Sequence, residues 1–478
     1  MGYQAEITHA ELVARINAAG QGQVFTFYGQ LTPEAQKAFD AQLAELDWEL
    51  VGRLAETVVK NPQKFELQGD VKPAEYFENQ PADPARKELY CKAFGRGEEL
   101  LRQGKVAAFV VAGGQGTRLG WEGPKGTFPA TPVQAKPLFQ CYAEFLLALE
   151  KRYGKPVPFY IMTSPMNHAP TIAYWKQHAY FGMDAKNVMF FPQDSLPAFG
   201  LDGKVLLEDK DSLALSPNGH GGSLLALWKQ GAIADMKKRG ITQISYFQVD
   251  NPIVRCVDPQ FIGLHDLEGA QMSSKMLPKA FGKEKLGNFC IIDGQLTVIE
   301  YSDLPDTLAE ERLPNGHLRF LAGSIALHAI RVDFVEDLNT RAGGFALPYH
   351  RAEKKVPYVD LKTGQPIKPE KTNAIKCETF VFDALPLTTK SIIYETDRLD
   401  EFGPIKQPTG IDSTESSHAT TTKRNAEWLE KAGIKVPRKA DGTPDCVIEI
   451  ASSFALYPQD VRGKKVPEIK PGDKVYLA

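Results

Sequence analysis

No apolar run in this 478-residue chain approaches the roughly 20 residues that a membrane-spanning helix needs. The first residues also lack the apolar core of a secretion signal, so neither membrane nor leader is expected. Met1-Gly2 opens like a myristoylation signal, but Glu6 stands where Ser or Thr is wanted. Neither sign of charge is in surplus. A net charge of -3 gives no pull toward nucleic acid or an anionic membrane. Cysteine is sparse and scattered: Cys91, Cys141, Cys256, Cys290, Cys377 and Cys446 form no C-x-x-C pair and no Cys/His cluster, which argues against zinc. In a chain this large they read as reduced, mostly buried thiols of a cytoplasmic protein. No internal repeat is visible. What remains is an ordinary soluble composition, 43% hydrophobic and 24% charged, long enough for about two or three domains.

Against that plain background one segment stands out. Residues 110–126 read Val-Val-Ala-Gly-Gly-Gln-Gly-Thr-Arg-Leu-Gly-Trp-Glu-Gly-Pro-Lys-Gly and follow a short apolar run, Val106 to Val111, that suits a strand buried on both faces. Glycines let backbone N–H groups approach a ligand closely, and Arg118 and Lys125 set fixed positive charge beside them. Amide donors plus cations are what a polyphosphate requires. Two familiar phosphate loops fail on spacing. From Gly114 and Gly116, the third glycine of G-x-G-x-x-G would fall on Leu119; and Pro124-Lys125-Gly126 lacks the Ser or Thr that follows Gly-Lys in a Walker loop.

The rest of the chain is organised around that loop. Residues 1–100 read as an amphipathic helical region, with Thr32-Pro33 opening one helix and Pro84 another. Over 101–385 apolar runs alternate with helical patterns. Strands are expected at 157–164 and 243–249, and helices at 138–153 and 222–239. That alternation predicts an α/β fold with a doubly wound, mostly parallel, Rossmann-like sheet, whose ligands sit beyond the carboxyl ends of its strands. Residues 386–478 read as a C-terminal domain. In it, 402–423, rich in Pro, Thr, Ser and Asp, forms a loop or linker, and short β-strands follow.

Asp250 follows the third expected strand. A carboxylate at that place suits Mg²⁺, which takes oxygen ligands and substrate phosphates, and equally suits an Asx turn or helix N-cap. The glycines of Pro217-Asn218-Gly219-His220-Gly221-Gly222 fit close approach to a sugar or nucleotide, or simply a helix start.

The Gly-Gly-x-Gly-Thr-Arg-Leu-Gly…Pro-Lys-Gly pattern resembles the signature of nucleotide-sugar pyrophosphorylases. Gln115 and the Pro-Lys-Gly spacing place the likeness in the UDP-N-acetylhexosamine and UDP-sugar branch. It spans roughly 100–425. The resemblance implies a nucleotidyltransferase sheet, nucleotide contacts at Ala112, Gly113, Gly114 and Gly219, a uracil-reading amide at Gln193, and phosphate-handling cations at Arg118, Lys125 and Lys376. It implies Mg²⁺ at Asp250, within Val-Asp-Asn. It implies sugar-phosphate contacts at His220, Glu300, Tyr301, Ser324 and Lys406. The acetylhexosamine branch has Asn where this chain has His220, and Asn again where it has Ser324. Histidine at that place is closer to the UDP-glucose and UDP-sugar branches.

The reaction so implied joins UTP and a sugar 1-phosphate to a UDP-sugar and pyrophosphate, with N-acetylglucosamine 1-phosphate as the expected sugar. A UDP-glucose or broad UDP-sugar enzyme, and a non-catalytic nucleotide-sugar-binding homologue, stay open. The partners are small molecules, without nucleic acid or membrane. No pattern fixes the oligomeric state, and a monomer is compatible.

Overall fold

The computed structural model describes residues 7–62, 67, 69–345 and 347–478. The myristoylation reading of Gly2 and Glu6 lies outside them. Compactness divides the chain into two units gathered from separate stretches. One comprises Met1–Glu66, Gln193–Gly222 and Leu347–Val381; the other comprises Leu67–Pro192, Ser223–Ala346 and Phe382–Ala478. These are not the consecutive stretches 1–100, 101–385 and 386–478. The reason is a shared core: Leu12, Phe39, Leu43 and Trp48 of the N-terminal helices are buried together with Leu196, Phe199 and Ile375 from later segments.

The larger unit is built on a ten-stranded sheet. Its strands are β1 (Val71–Pro73), β2 (Val106–Val111), β3 (Phe159–Thr163), β4 (Val188–Pro192), β5 (Gln243–Gln248), β6 (Met272–Pro278), β7 (Gly287–Ile292), β8 (Gln295–Ile299), β9 (Ala322–Arg331) and β10 (Ile393–Glu395). The spatial order is β1-β7-β9-β5-β2-β3-β4, with β6 beside β9 and β10, and β8 on β7. Strands β5, β2, β3 and β4 run parallel, as the alternation of strands and helices predicts. On the far side of β5 the sheet continues antiparallel through β9 and β7.

Strand β2 is buried at all six positions. Its even-numbered residues Val106, Ala108 and Val110 join the main core, while Phe109 on the opposite face stacks with Phe191 and meets Tyr246 edge-on. Cover on both faces is what turns its sequence into an unbroken apolar run.

Around the sheet stand α1 (Pro84–Arg102), α2 (Leu138–Tyr153), α3 (Gly222–Lys229), α4 (Ala232–Arg239), α5 (Pro259–Leu267) and α6 (Thr414–Lys431). The expected single helix over 222–239 is two, because Gly231 adopts a left-handed φ of 80° between α3 and α4. The expected loop over 402–423 is also corrected, since α6 begins inside it. The polar residues that read as linker serve the helix. Ser413 and Ser416 form its capping box, and the Thr420 and Thr421 hydroxyls donate to the carbonyls of Ser416 and Ser417. Its apolar face, Ala426, Trp428 and Leu429, is buried with the short parallel pair β11 (Val447–Ile450) and β12 (Lys474–Leu477). Among the described residues no helix is long and apolar enough to cross a membrane. The six cysteines are unpaired, and four of them are buried.

Helices α1 and α5 cross at two glycines. A Cβ on Gly97 would lie 1.8 Å from the Pro259 carbonyl oxygen, and one on Gly263 would lie 1.8 Å from that of Ala93. Gly95, one turn-half away on the exposed side, has open space. Two substitutions on one helix should therefore have opposite signs. Gly97→Ala is expected to destabilise by about 1–3 kcal/mol or more through backbone overlap. Gly95→Ala should stabilise by roughly 0.5–1 kcal/mol through lower unfolded-state entropy. Denaturant unfolding of both variants checks this, and equal effects would contradict the crossing.

Candidate active site

Pairing register decides where the functional loops meet. In the parallel pair β2–β5, Val111 lies opposite Gln248. The glycine loop leaves β2 one residue later and Asp250 follows β5 two residues later, so both emerge at the same edge. Strand β9 runs the other way, with Tyr246 opposite His328, which brings its first residues back to that edge. Gly287 of β7 pairs with Ser324 of β9, and Asn288 pairs with Ile299 at the end of β8, so Glu300 arrives there as well.

The glycine loop is held by its own carbonyls. Asn167 Nδ2 donates to the Ala112 and Gly114 oxygens at 3.0 and 3.2 Å, and the Lys125 amide donates to the Gly114 oxygen at 3.1 Å. A Cβ on Gly114 would meet nothing within 4 Å, so that position opens onto free space. At Gly126 the glycine is structural, since a Cβ would lie 2.1 Å from the Phe139 ring. Gly113 is half-buried and Arg118 is exposed.

Three cations converge on this edge. Lys125 Nζ lies 4.0 Å and Lys406 Nζ 3.7 Å from Asp250 Oδ2. Burial holds the Lys125 ammonium below the ordinary lysine range; Asp250 opposes that, while Lys406 and Arg118 add to it. Asp412 stands close enough to influence Lys125 and Lys406, and burial raises its carboxyl above the usual range. The cluster gathers three positive groups around loosely paired carboxylates, a field that favours an incoming polyanion.

Beside the cluster lies a cavity of about 140 Å³ lined by Asp250, Glu300, Tyr301, Ser324 and Lys406. All five are sequence-predicted residues. Gln248, Lys285 and Phe402 also line it and were not predicted. Gln248 was findable as the last residue of the strand that delivers Asp250. Lys285, in the turn before β7, carries no local signal. Ala326, also on the cavity, has a left-handed φ of 53° at an irregularity in the β6–β9 pairing. Such a backbone is uncommon for alanine and marks a constrained site.

The remaining predicted residues belong to the smaller unit. Gln193 is 6% exposed, and its buried Oε1 has no hydrogen-bond partner. Gly219 has φ +84° and would place a Cβ 2.4 Å from the Thr379 oxygen; a Cβ on Gly221 would lie 2.6 Å from the Phe380 nitrogen. Close packing against 379–380 thus requires both glycines. His220 accepts the Val381 N–H through Nδ1 at 3.1 Å and stacks on Phe380, which stacks on His350. Burial is the first cause, and His350 the second, that push the His220 ring down to about 4. Lys376 sits half-buried on the strand Ala374–Glu378, its ammonium held below the ordinary range by burial. Among the described residues no three His, Cys, Asp or Glu side chains are grouped to hold a metal.

Since Nδ1 of His220 is an acceptor, its proton sits on Nε2 at neutral pH. The lowered value means that the folded chain binds fewer protons here than the unfolded chain. The stability linked to this group is therefore present above the ordinary histidine range and lost as pH falls toward about 4. Imidazole ¹⁵N NMR should show His220 as the Nε2–H tautomer down to about pH 5. A midpoint in the ordinary histidine range would contradict the burial.

Comparison with known proteins identifies relatives of this chain. The family model described as UTP–glucose-1-phosphate uridylyltransferase matches residues 80–472. The UDP-N-acetylhexosamine pyrophosphorylase-like protein 1 of Xenopus tropicalis is 37% identical over 442 residues, covering 88% of this chain and 84% of the frog protein. The UDP-N-acetylglucosamine pyrophosphorylase of Saccharomyces cerevisiae is 34% identical over 456 residues, covering 91% of this chain and 93% of the yeast one. The crystal structure of uridine diphosphate N-acetylglucosamine pyrophosphorylase from Trypanosoma brucei superposes with a TM-score of 0.80 over 99% of both chains. At 22% identity that likeness shows the fold.

Proposed function

This chain belongs to the UTP–glucose-1-phosphate uridylyltransferase family, and from that membership and the cation-lined edge we propose that it joins UTP and N-acetylglucosamine 1-phosphate to UDP-N-acetylglucosamine and pyrophosphate. The observation that carries the reading is the single cavity that brings Glu300, Tyr301 and Ser324 beside the Asp250–Lys406 pair. The frog and yeast relatives carry acetylhexosamine or N-acetylglucosamine in their names, which supports that sugar. His220 and Ser324 support a second reading, a UDP-glucose or broad UDP-sugar enzyme: a neutral imidazole and a hydroxyl stand where the acetylhexosamine branch carries two amides. Unpaired cysteines support a reducing, cytoplasmic setting.

The chemistry is displacement at the α-phosphorus. An oxygen of the sugar phosphate attacks in line, and pyrophosphate leaves with the electron pair of the broken P–O bond. A phosphate dianion is a sufficient nucleophile, so no general base is needed, and the obstacle is repulsion between anions. The residues act by positioning and charge neutralisation. Lys406, at the cavity, grips the incoming sugar phosphate. Lys125, destabilised as a cation by burial, recovers that loss when a phosphate oxygen arrives. Arg118 and the amides of Gly113 and Gly114 take up charge on the departing pyrophosphate. In the smaller unit we assign the unpartnered Gln193 oxygen to the uracil edge, which an amide can both donate to and accept from. There Gly219 and Lys376 take nucleotide contacts and His220 a sugar contact.

Asp250 fits Mg²⁺. It offers oxygen ligands at the edge where the cations gather, and its two ammonium neighbours stand 3.7 Å or more away, beyond hydrogen-bond distance. One carboxylate suffices for an ion that draws its other ligands from substrate phosphates and water. When bound there, the ion supplies charge neutralisation on those phosphates.

Two measurements test the proposal. Lys125→Ala and Asp250→Ala should each lower turnover by about 10²–10³-fold with little change in thermal midpoint. Near-normal turnover in both would remove the assignment. Comparing kcat/KM across a panel of sugar 1-phosphates should rank N-acetylglucosamine 1-phosphate first. Preference for glucose or galactose 1-phosphate would establish the second reading. UTP binding without turnover on any sugar would leave a non-catalytic binder.

A further inference from the structure

Lys406 and Asp250 come from distant parts of the chain, so something must hold the Lys406 segment in register with the end of β5. Asn251 lies at the junction and is 5% exposed. Its Nδ2 donates to the Glu401 carbonyl at 2.5 Å, and its Oδ1 accepts the Gly403 and Ile253 amides at 3.2 and 3.3 Å. One step further on, the Ile405 amide donates to the Asp250 carbonyl at 2.8 Å. The side-chain amide thus behaves like a strand partner, using a donor and an acceptor at once to close 401–405 onto 250–253. Only the side chains of Asn and Gln carry an amide N–H and an amide oxygen together, and Gln is one methylene longer.

The segment that Asn251 grips is fixed from behind. Lys275, 2% exposed, donates to Asp258 at 2.7 Å and to Glu401 at 2.5 Å, and the Thr396 hydroxyl donates to the Glu401 carboxylate as well. Glu401 is fully buried. A buried carboxylate cannot leave such partners without the cost of an uncompensated charge, so the backbone at 401 is held in place. On the other side of Lys406, its own amide donates to the Asp412 carbonyl at 2.6 Å.

We propose that Asn251 is a positioning residue that acts through Lys406, setting its ammonium against Asp250 and the sugar-phosphate cavity. This rests on the functional reading above only for its kinetic readout. A merely structural role would lower stability and would add to any other lesion. A positioning role instead vanishes once Lys406 is gone.

The test is a double-mutant cycle with a crystal structure of the single variant. Asn251→Ala should lower kcat/KM for the sugar phosphate by about 10²-fold, with the KM for UTP little changed. In a Lys406→Ala background the same substitution should cost under about threefold. In the Asn251→Ala crystal structure the Lys406 ammonium should have left ion-pair distance of Asp250. Multiplicative losses in the double variant, or an undisturbed Lys406–Asp250 pair, would overturn the proposal. Should Asn251→Ala fail to fold, Asn251→Ser, which can accept from Ile253 but cannot reach Glu401, runs the same cycle. A wild-type protein silent with UTP and every sugar 1-phosphate would sink the functional reading instead. The position of Lys406 in the crystal structure would still decide this one.

Discussion

The site depends on a single register, Val111 opposite Gln248 in the parallel pairing of β2 with β5. Parallel strands end on the same edge, so that pairing delivers the glycine loop with Lys125 and the Asp250 turn to neighbouring positions. Every later piece is placed relative to them. Strand β9 pairs antiparallel to β5 and returns Ser324 to the edge; β7 and β8 follow by hairpin pairing and bring Gly287 and Glu300. Shifting β5 by one residue would turn every side chain of the strand to the opposite face. The two faces of β2 and β5 meet different surroundings, Val110 and Phe247 in the main core and Phe109 against Tyr246 and Phe191 on the other side, which opposes that slip.

That scaffold concentrates like charge. Arg118, Lys125 and Lys406 gather about Asp250 and Asp412, and burial leaves Lys125 poorly solvated. Folding alone would not favour such a cluster. A bound polyphosphate would offset its cost, which is the usual reason for strained electrostatics at functional sites. Ala326 is a second instance, a left-handed alanine on the wall of the same cavity. The buried Lys275–Asp258–Glu401 group, by contrast, pairs its one ammonium with two carboxylates inside the fold. It serves as foundation for the segment that carries Lys406.

Much of this was legible from the sequence. The strands at 106–111, 159–163 and 243–248 were readable because burial on both faces demands apolar runs, and the glycine loop stood out because glycines beside cations are the composition a phosphate site would need. The helix over 414–431 was not readable, since the Ser and Thr residues that cap and line it have the composition of a linker. The antiparallel half of the sheet was hidden for a different reason. Pairing Gly287 with Ser324 is a long-range choice that leaves no local period, so Glu300 and Ser324 could be named only through resemblance. Lys285 left no trace at all, and Asn251 stood only as the residue after Asp250 until its bonds to Glu401 and Gly403 set it apart.

The central claim is that these residues only position and neutralise, so that sugar phosphate attacks UTP directly. The stereochemical course at the α-phosphorus tests this most closely, using UTP made chiral there with sulfur and reading the configuration of the UDP-sugar product. A single in-line displacement predicts inversion. Retention would require a uridylylated side chain between two displacements, and would contradict the account.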